Sequence, residues 1–103
     1  EILPKNAFEY GARIVATGRS DFPNQINNAV VFPSILRALL DLRANNLTEN
    51  MLVSVAYAIA GIVEEVHLKD DYIIPKVDDP RILPIVTKTI KKVLDKHIRN
   101  KDG

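Results

Sequence analysis

Cysteine is missing altogether from these 103 residues. That excludes a disulfide framework and thiolate chemistry, and leans only mildly toward an intracellular setting. No apolar run is long enough to span a bilayer, and nothing at the start reads as a secretory leader, so no membrane partner is expected. A dominant charge is also lacking: the net charge is +1, with 26% charged and 47% hydrophobic residues. Such a balance asks for neither nucleic acid nor an anionic surface as partner. Histidine is scarce, and His67 and His97 are far apart without a second ligand at metal-binding spacing, so both are read as surface residues. Gly11 and Gly18 are too far apart for a dinucleotide fingerprint, which leaves no cofactor-binding residue assigned.

What is present begins with a chain long enough for one small domain and a modest core. Glu1-Ile2-Leu3-Pro4 reads like the middle of a longer protein. Pro4 fits the first turn of a helix running through Asn6–Tyr10, and Gly11 supplies the left-handed cap that ends it. Arg13–Thr17 is short, carries adjacent β-branched Ile14 and Val15, and shows little alternation, the pattern of a strand buried on both faces of a mainly parallel sheet. Helix, glycine, buried strand and loop make one step of a doubly wound fold. The expected class is therefore α/β, with one clear buried strand in a mostly helical segment. A single step cannot bury both faces of its strand, so more sheet is expected elsewhere; the only other β-like piece is Tyr72–Pro75.

That strand breaks at Gly18 and empties into the polar loop Arg19–Gln25, followed by two adjacent amides, Asn27 and Asn28. Open α/β sheets bind their ligands at such a mouth. Each amide offers a donor and an acceptor, and unpaired backbone N–H groups at a helix start attract an anion. The pattern suits a small anionic ligand with a hydroxyl or carbonyl beside its carboxylate. Pattern alone favours the plainer reading, a strand, a turn and an Asn helix cap with no ligand.

Farther on, Pro33 opens a helix from Ser34 to about Ala44, with Ile35, Leu36, Leu39 and Leu40 on one side and an Arg37–Asp41 pair on the other. Asn45 and Asn46 are expected to cap and turn it. Thr48 is the expected N-cap of a helix from Glu49 to about Glu65, apolar nearly all round and so read as central, packed on two sides. Asp78-Asp79-Pro80 reads as two caps and a first helical position. The last helix sets Ile82, Ile85, Val86, Ile90, Val93 and Leu94 against Lys88, Lys92, Lys96 and Arg99. Without aromatic or glycine-rich partners, that basic face does not amount to a nucleic-acid patch. Ser20 has no nearby histidine to activate it, and Asp70-Asp71 and Asp78-Asp79 suit turns and caps better than acid–base work.

The long stretch Gly11–Asn28 (GARIVATGRSDFPNQINN), followed by Phe32-Pro33 and Arg37–Asp41, resembles the malic enzymes of the bacterial and archaeal type. Residues 48–65 and Ile73-Ile74-Pro75 extend the likeness, which covers roughly three quarters of the chain. The resemblance implies the C-terminal part of a Rossmann-like NAD(P)-binding domain. Residues 1–28 would supply helix, strand and substrate loop, residues 29–65 two helices, and residues 66–103 a connector and the terminal helix. It further implies a cytoplasmic homodimer that decarboxylates malate oxidatively to pyruvate and CO2 with NAD or NADP and Mg2+ or Mn2+. Asn27 would contact the malate carboxylate, with Asn28 as second choice. The family's tyrosine acid, lysine base, acidic metal ligands and glycine-rich loop lie upstream, so no catalytic or metal-binding residue is expected here. Lys5, Lys69 and Tyr10 do not match those motifs. Ser34 and Ala38 stand where glycines are expected. Two rivals remain: a non-catalytic small anion-binding or regulatory module, and a purely helical interaction domain.

Overall fold

Pro4 lacks the N–H that a first helical turn would leave unpaired, and its fixed φ suits that turn, so the first helix, α1 (Pro4–Glu9), begins there. The computed structural model describes residues 2–102, without the side chains of Glu65 and residues 98–102. Gly11 ends the turn with φ +104°, a backbone state open to glycine, as its place after Tyr10 foretold.

The expected strand at Arg13–Thr17 does not form. Among the described residues there is no strand, only an isolated parallel bridge between Thr17 and Gln25 and an antiparallel one between Lys69 and Tyr72. A strand buried on both faces needs neighbours to pair with and layers to cover it. Here Ile14 stays 45% exposed, and the Val15 carbonyl is taken by the side chain of Asn24 instead of a strand. The segment forms no ladder beyond the single bridge at Thr17. Tyr72–Pro75 likewise supplies no second strand: Pro75 is buried and Ile73 donates its N–H to Asn24.

A single 3-10 turn, Asn28–Val30, leads into α2 (Phe32–Asp41), with Pro33 in its first turn. α2 ends earlier than Ala44, and the left-handed residue after it is Arg43 (φ 54°), not Asn45 or Asn46. The Arg37–Asp41 pair forms at 3.0 Å on the exposed side. Thr48 caps α3 (Glu49–Ala60) as expected, its Oγ1 accepting from the Met51 N–H at 3.2 Å. A second 3-10 turn, Glu65–His67, and an irregular connector precede α4 (Ile82–Asp102). Pro84 sits in the first turn of α4, where no intrahelical donor is lost.

The central helix is α4, not α3. α4 packs against both α2 and α3, and Ile82, Val86 and Ile90 recur every four residues along its buried stripe. Facing them are Ile35 and Ala38 of α2, Met51, Val55 and Ile59 of α3, and Val30 from the 3-10 turn. α3 buries one face only; Leu52, Val53 and Tyr57 remain exposed, as do Leu36 and Leu40 on α2. Ala38 is fully buried, so the core accommodates a methyl where the resemblance expected glycine. Arg99 falls outside the described side chains. No described helix is long and apolar enough to cross a membrane.

Candidate functional site

The loop that carries Asn27 and Asn28 is closed at its base by backbone hydrogen bonds. The Thr17 N–H donates to the Asn24 carbonyl at 3.2 Å, and the Ile26 N–H donates to the Thr17 carbonyl at 2.8 Å. Gln25 Nε2 reaches the Gly18 carbonyl at 3.3 Å. Inside the loop, the Arg19 guanidinium grips Asp21 through two contacts of 3.0 and 2.8 Å and lies 5.2 Å from the Phe22 ring centroid. That grip holds the Asp21 carboxyl below its ordinary value. The polar tip is thus tied to itself rather than left as loose chain.

Asn27 has an extended backbone (φ −143°, ψ 135°), and its side chain caps the 3-10 turn, with Oδ1 accepting from the Ala29 N–H at 2.9 Å. A backbone N–H can only donate, so this contact fixes which end of the amide is oxygen. The exposed end of Asn27 is therefore the NH2 group, a donor with no partner among the described residues. Asn28 is also exposed, and its amide meets no described residue. What the site presents to solvent is two neutral amides at adjacent positions, of which the Asn27 NH2 is a donor suited to a carboxylate or carbonyl oxygen. One element of the sequence reading changes. The turn after Asn27 is three residues long and interrupts the path to α2, so no long helix dipole adds to the attraction expected there.

The other candidates do not join this site. His67 pairs loosely with Glu64 at 3.8 Å, and both it and His97 are exposed. Asp70 is spent on Arg13 at 3.1 Å, and Asp79 on Arg81 at 2.6 Å. Ser20 is exposed in the loop, without a base beside it. No group of three or more His, Asp or Glu among the described residues could hold a metal ion. Lys92 and Lys96 line a groove of about 980 Å³ between α3 and α4, bordered by Thr48, Met51, Ser54 and Thr89; no loop residue reaches it.

Sequence reading passed over Asn24, which is only 7% exposed. Its backbone is left-handed (φ 55°). Its Nδ2 donates to the Val15 carbonyl at 3.1 Å and to the Asp70 carbonyl at 2.8 Å, while its Oδ1 accepts from the Ile73 N–H at 2.9 Å. The signal for it was Pro23-Asn24 after a polar run, a turn dipeptide whose second residue tolerates left-handed geometry. Its long-range partners leave no local trace in sequence.

This segment thus sets a closed polar loop with two exposed amides beside a three-helix core. Comparison with known proteins gives that segment its family. Residues 11–96 match the family model described as malic enzyme, NAD binding domain, and the chain belongs to that family. It is 49% identical over 92 residues to the bifunctional malic/malolactic enzyme of Bacillus subtilis, covering 89% of this chain and 22% of that one. It is 46% identical over 90 residues to the NAD-dependent malic enzyme of Geobacillus stearothermophilus, covering 87% of this chain and 19% of that one. The crystal structure of malic enzyme from Pyrococcus horikoshii superposes with a TM-score of 0.86 at 46% identity, over 94% of this chain and 22% of that one. The chain therefore spans about a fifth of the length of these relatives.

Proposed function

We propose that this chain supplies the substrate-side asparagine loop of an enzyme that oxidatively decarboxylates malate to pyruvate and CO2 with NAD or NADP. The observation that carries the reading is the orientation of Asn27. Its oxygen accepts from the Ala29 N–H, which fixes the amide orientation and leaves the NH2 of this exposed residue without a described partner. An outward donor suits a malate carboxylate, and a neutral one holds it without a full countercharge. Asn28 gives a second neutral donor from the adjacent residue. Together they would orient the substrate; neither moves a proton or a hydride.

In this reading the segment belongs to a doubly wound, Rossmann-like domain to which it contributes mainly helices. The exposed Ile14 supports this, because an apolar side chain left open to solvent suits cover by the rest of such a domain. The divalent metal, Mg2+ or Mn2+, does not fit the described residues: their carboxylates are dispersed, and the best placed are held by arginines. No glycine-rich phosphate cradle occurs either, so the acid, the base, the metal ligands and the dinucleotide loop would come from elsewhere. A homodimer in the cytoplasm accompanies the reading by family likeness alone.

The test is kinetic, on the full-length enzyme carrying this segment. Asn27→Ala is expected to raise KM for malate about tenfold or more, corresponding to loss of one hydrogen bond to a charged group, while KM for the coenzyme stays within about twofold. Unchanged malate kinetics would remove Asn27 from the site.

A further inference from the structure

The side chain of Asn24 fastens the loop bearing Asn27 and Asn28 to a segment about fifty positions away in the chain. We propose that Asn24 is a positioning residue for the substrate loop, holding Asn27 in register through a three-way clamp. This rests on the reading of Asn27 given above and extends it to a residue with no outward group of its own.

Each atom of the Asn24 amide has a distinct task. Nδ2 bridges two carbonyls on different segments, Val15 at 3.1 Å and Asp70 at 2.8 Å. Oδ1 takes the Ile73 N–H at 2.9 Å. An amide has two N–H donors and an accepting oxygen, so this environment uses both of its polar ends in the one orientation the partners allow. None of the buried side-chain nitrogens and oxygens among the described residues is left without a partner. The main chain of Asn24 adds a fourth tie, since its carbonyl accepts from Thr17.

The clamp lies three residues before Asn27. Three residues after Asn27 the chain is anchored again, by Val30, which is 1% exposed in the helical core. Residues 25–29 are therefore held at both ends, one by a polar clamp and the other by apolar packing. Release of the polar end would leave the Asn27 cap in place but free its NH2 group to shift relative to anything bound against the loop. Displacements on the order of 1 Å are enough to cost up to about a hundredfold in turnover. The left-handed backbone at Asn24 reinforces the choice: asparagine tolerates it, and glutamine, with one more methylene, would neither fit that conformation as readily nor keep the three contacts.

Three variants in the full-length enzyme test the clamp. Asn24→Gly keeps the left-handed backbone and removes the side chain. Asn24→Asp keeps shape and the bond to Ile73 but, when ionised, turns an oxygen toward the carbonyls of Val15 and Asp70. The charged groups around it are Arg13, Asp70 and Asp71, which share a pocket of about 140 Å³ with Asn24. Asn27→Ala is the reference. The expected result is a rise in malate KM of about tenfold for Asn24→Gly, with coenzyme KM within about twofold and the folded fraction preserved by circular dichroism. Asn24→Asp should show the same rise at alkaline pH and partial recovery as the pH falls and the carboxylic acid becomes a donor. If Asn27→Ala raises malate KM and Asn24→Gly does not, positioning by Asn24 is wrong while the substrate loop stands. If Asn24→Gly raises malate and coenzyme KM alike, Asn24 is only a structural tie, and the proposal fails. If Asn27→Ala leaves malate KM unchanged, both the loop assignment and the clamp's purpose fall together.

Discussion

Asp79 holds Arg81 three times: Oδ2 accepts from the guanidinium at 2.6 Å, and Oδ1 accepts from Nε and from the Arg81 backbone N–H, both at 2.9 Å. Arg81 in turn donates to the Ile62 carbonyl at 3.2 Å and to the Tyr72 hydroxyl at 3.5 Å. One side-chain pair thus joins the end of α3, the connector and the entry to α4. The Asp79 side chain is 10% exposed, so its charge is more sheltered than that of a surface pair.

The first prediction follows from that pair. The hydrogen bond from Arg81 holds the Asp79 carboxyl below its ordinary value near 3.8. A carboxyl whose folded-state value is depressed contributes stability that is complete above its unfolded value and is lost as pH falls. Asp79→Asn should therefore destabilise by about 1–2 kcal/mol at neutral pH, and the difference from the parent should shrink below about pH 4. Urea titrations of both proteins across pH 3–7 measure it; a pH-independent gap would show that the charge is not what matters.

Core packing gives the second prediction. Ile90 is fully buried on the face of α4 that meets both neighbouring helices. Ile90→Ala should cost about 2–5 kcal/mol, the transfer loss plus a cavity that two packed helices cannot easily close. Ile90→Val should cost about 0.5–1.5 kcal/mol. Equilibrium unfolding of the two variants reads the ratio, and equal losses would mean that the site collapses freely.

The sequence disclosed these features unevenly. Helix α4 and the Thr48 cap were legible because both are local: one is a repeat every three or four residues, the other a hydroxyl followed by a donor three positions on. The loop bearing Asn27 and Asn28 was legible only as a long motif. Its physical logic was partly misread, since a short 3-10 turn replaced the helix start. The strand at Arg13–Thr17 was read from composition, but a strand exists only through its partners, and the described residues do not provide them. The centrality of α4 was missed because an apolar face on α3 looks the same whether it meets this chain or another surface. Asn24 was invisible because its partners, Val15, Asp70 and Ile73, lie up to 49 positions away.

Glycine supplies the third prediction, as a contrast. A Cβ added at Gly11 would touch nothing within 4 Å, yet its φ of +104° penalises any side chain. Gly18 has no such φ, and its added Cβ would sit 3.7 Å from the Ile26 carbonyl, an ordinary contact. Gly11→Ala should therefore lose about 1–3 kcal/mol through backbone strain alone, and Gly18→Ala should stay within about 0.5 kcal/mol. Thermal unfolding of the two variants distinguishes them, and a larger loss at Gly18 would contradict the geometry.

The fourth prediction concerns the chain by itself. Its radius of gyration is 16.3 Å, against about 13 Å for a compact domain of this length. Leu40 and Tyr57 are 76% and 78% exposed, with Leu36 and Val53 also open to solvent. Exposure on this scale invites association unless other protein covers it. A polypeptide of these 103 residues should therefore bind a hydrophobic dye, self-associate at micromolar concentration and turn over no malate. Leu40→Lys and Tyr57→Lys together should make it more soluble, because charge on an uncovered face costs little. The same pair placed in the full-length enzyme should lower its melting temperature, because there the face would be buried and a lysine ammonium would lose its water. A dye-silent monomer, or an enzyme indifferent to both lysines, would show that these side chains are an ordinary solvated surface.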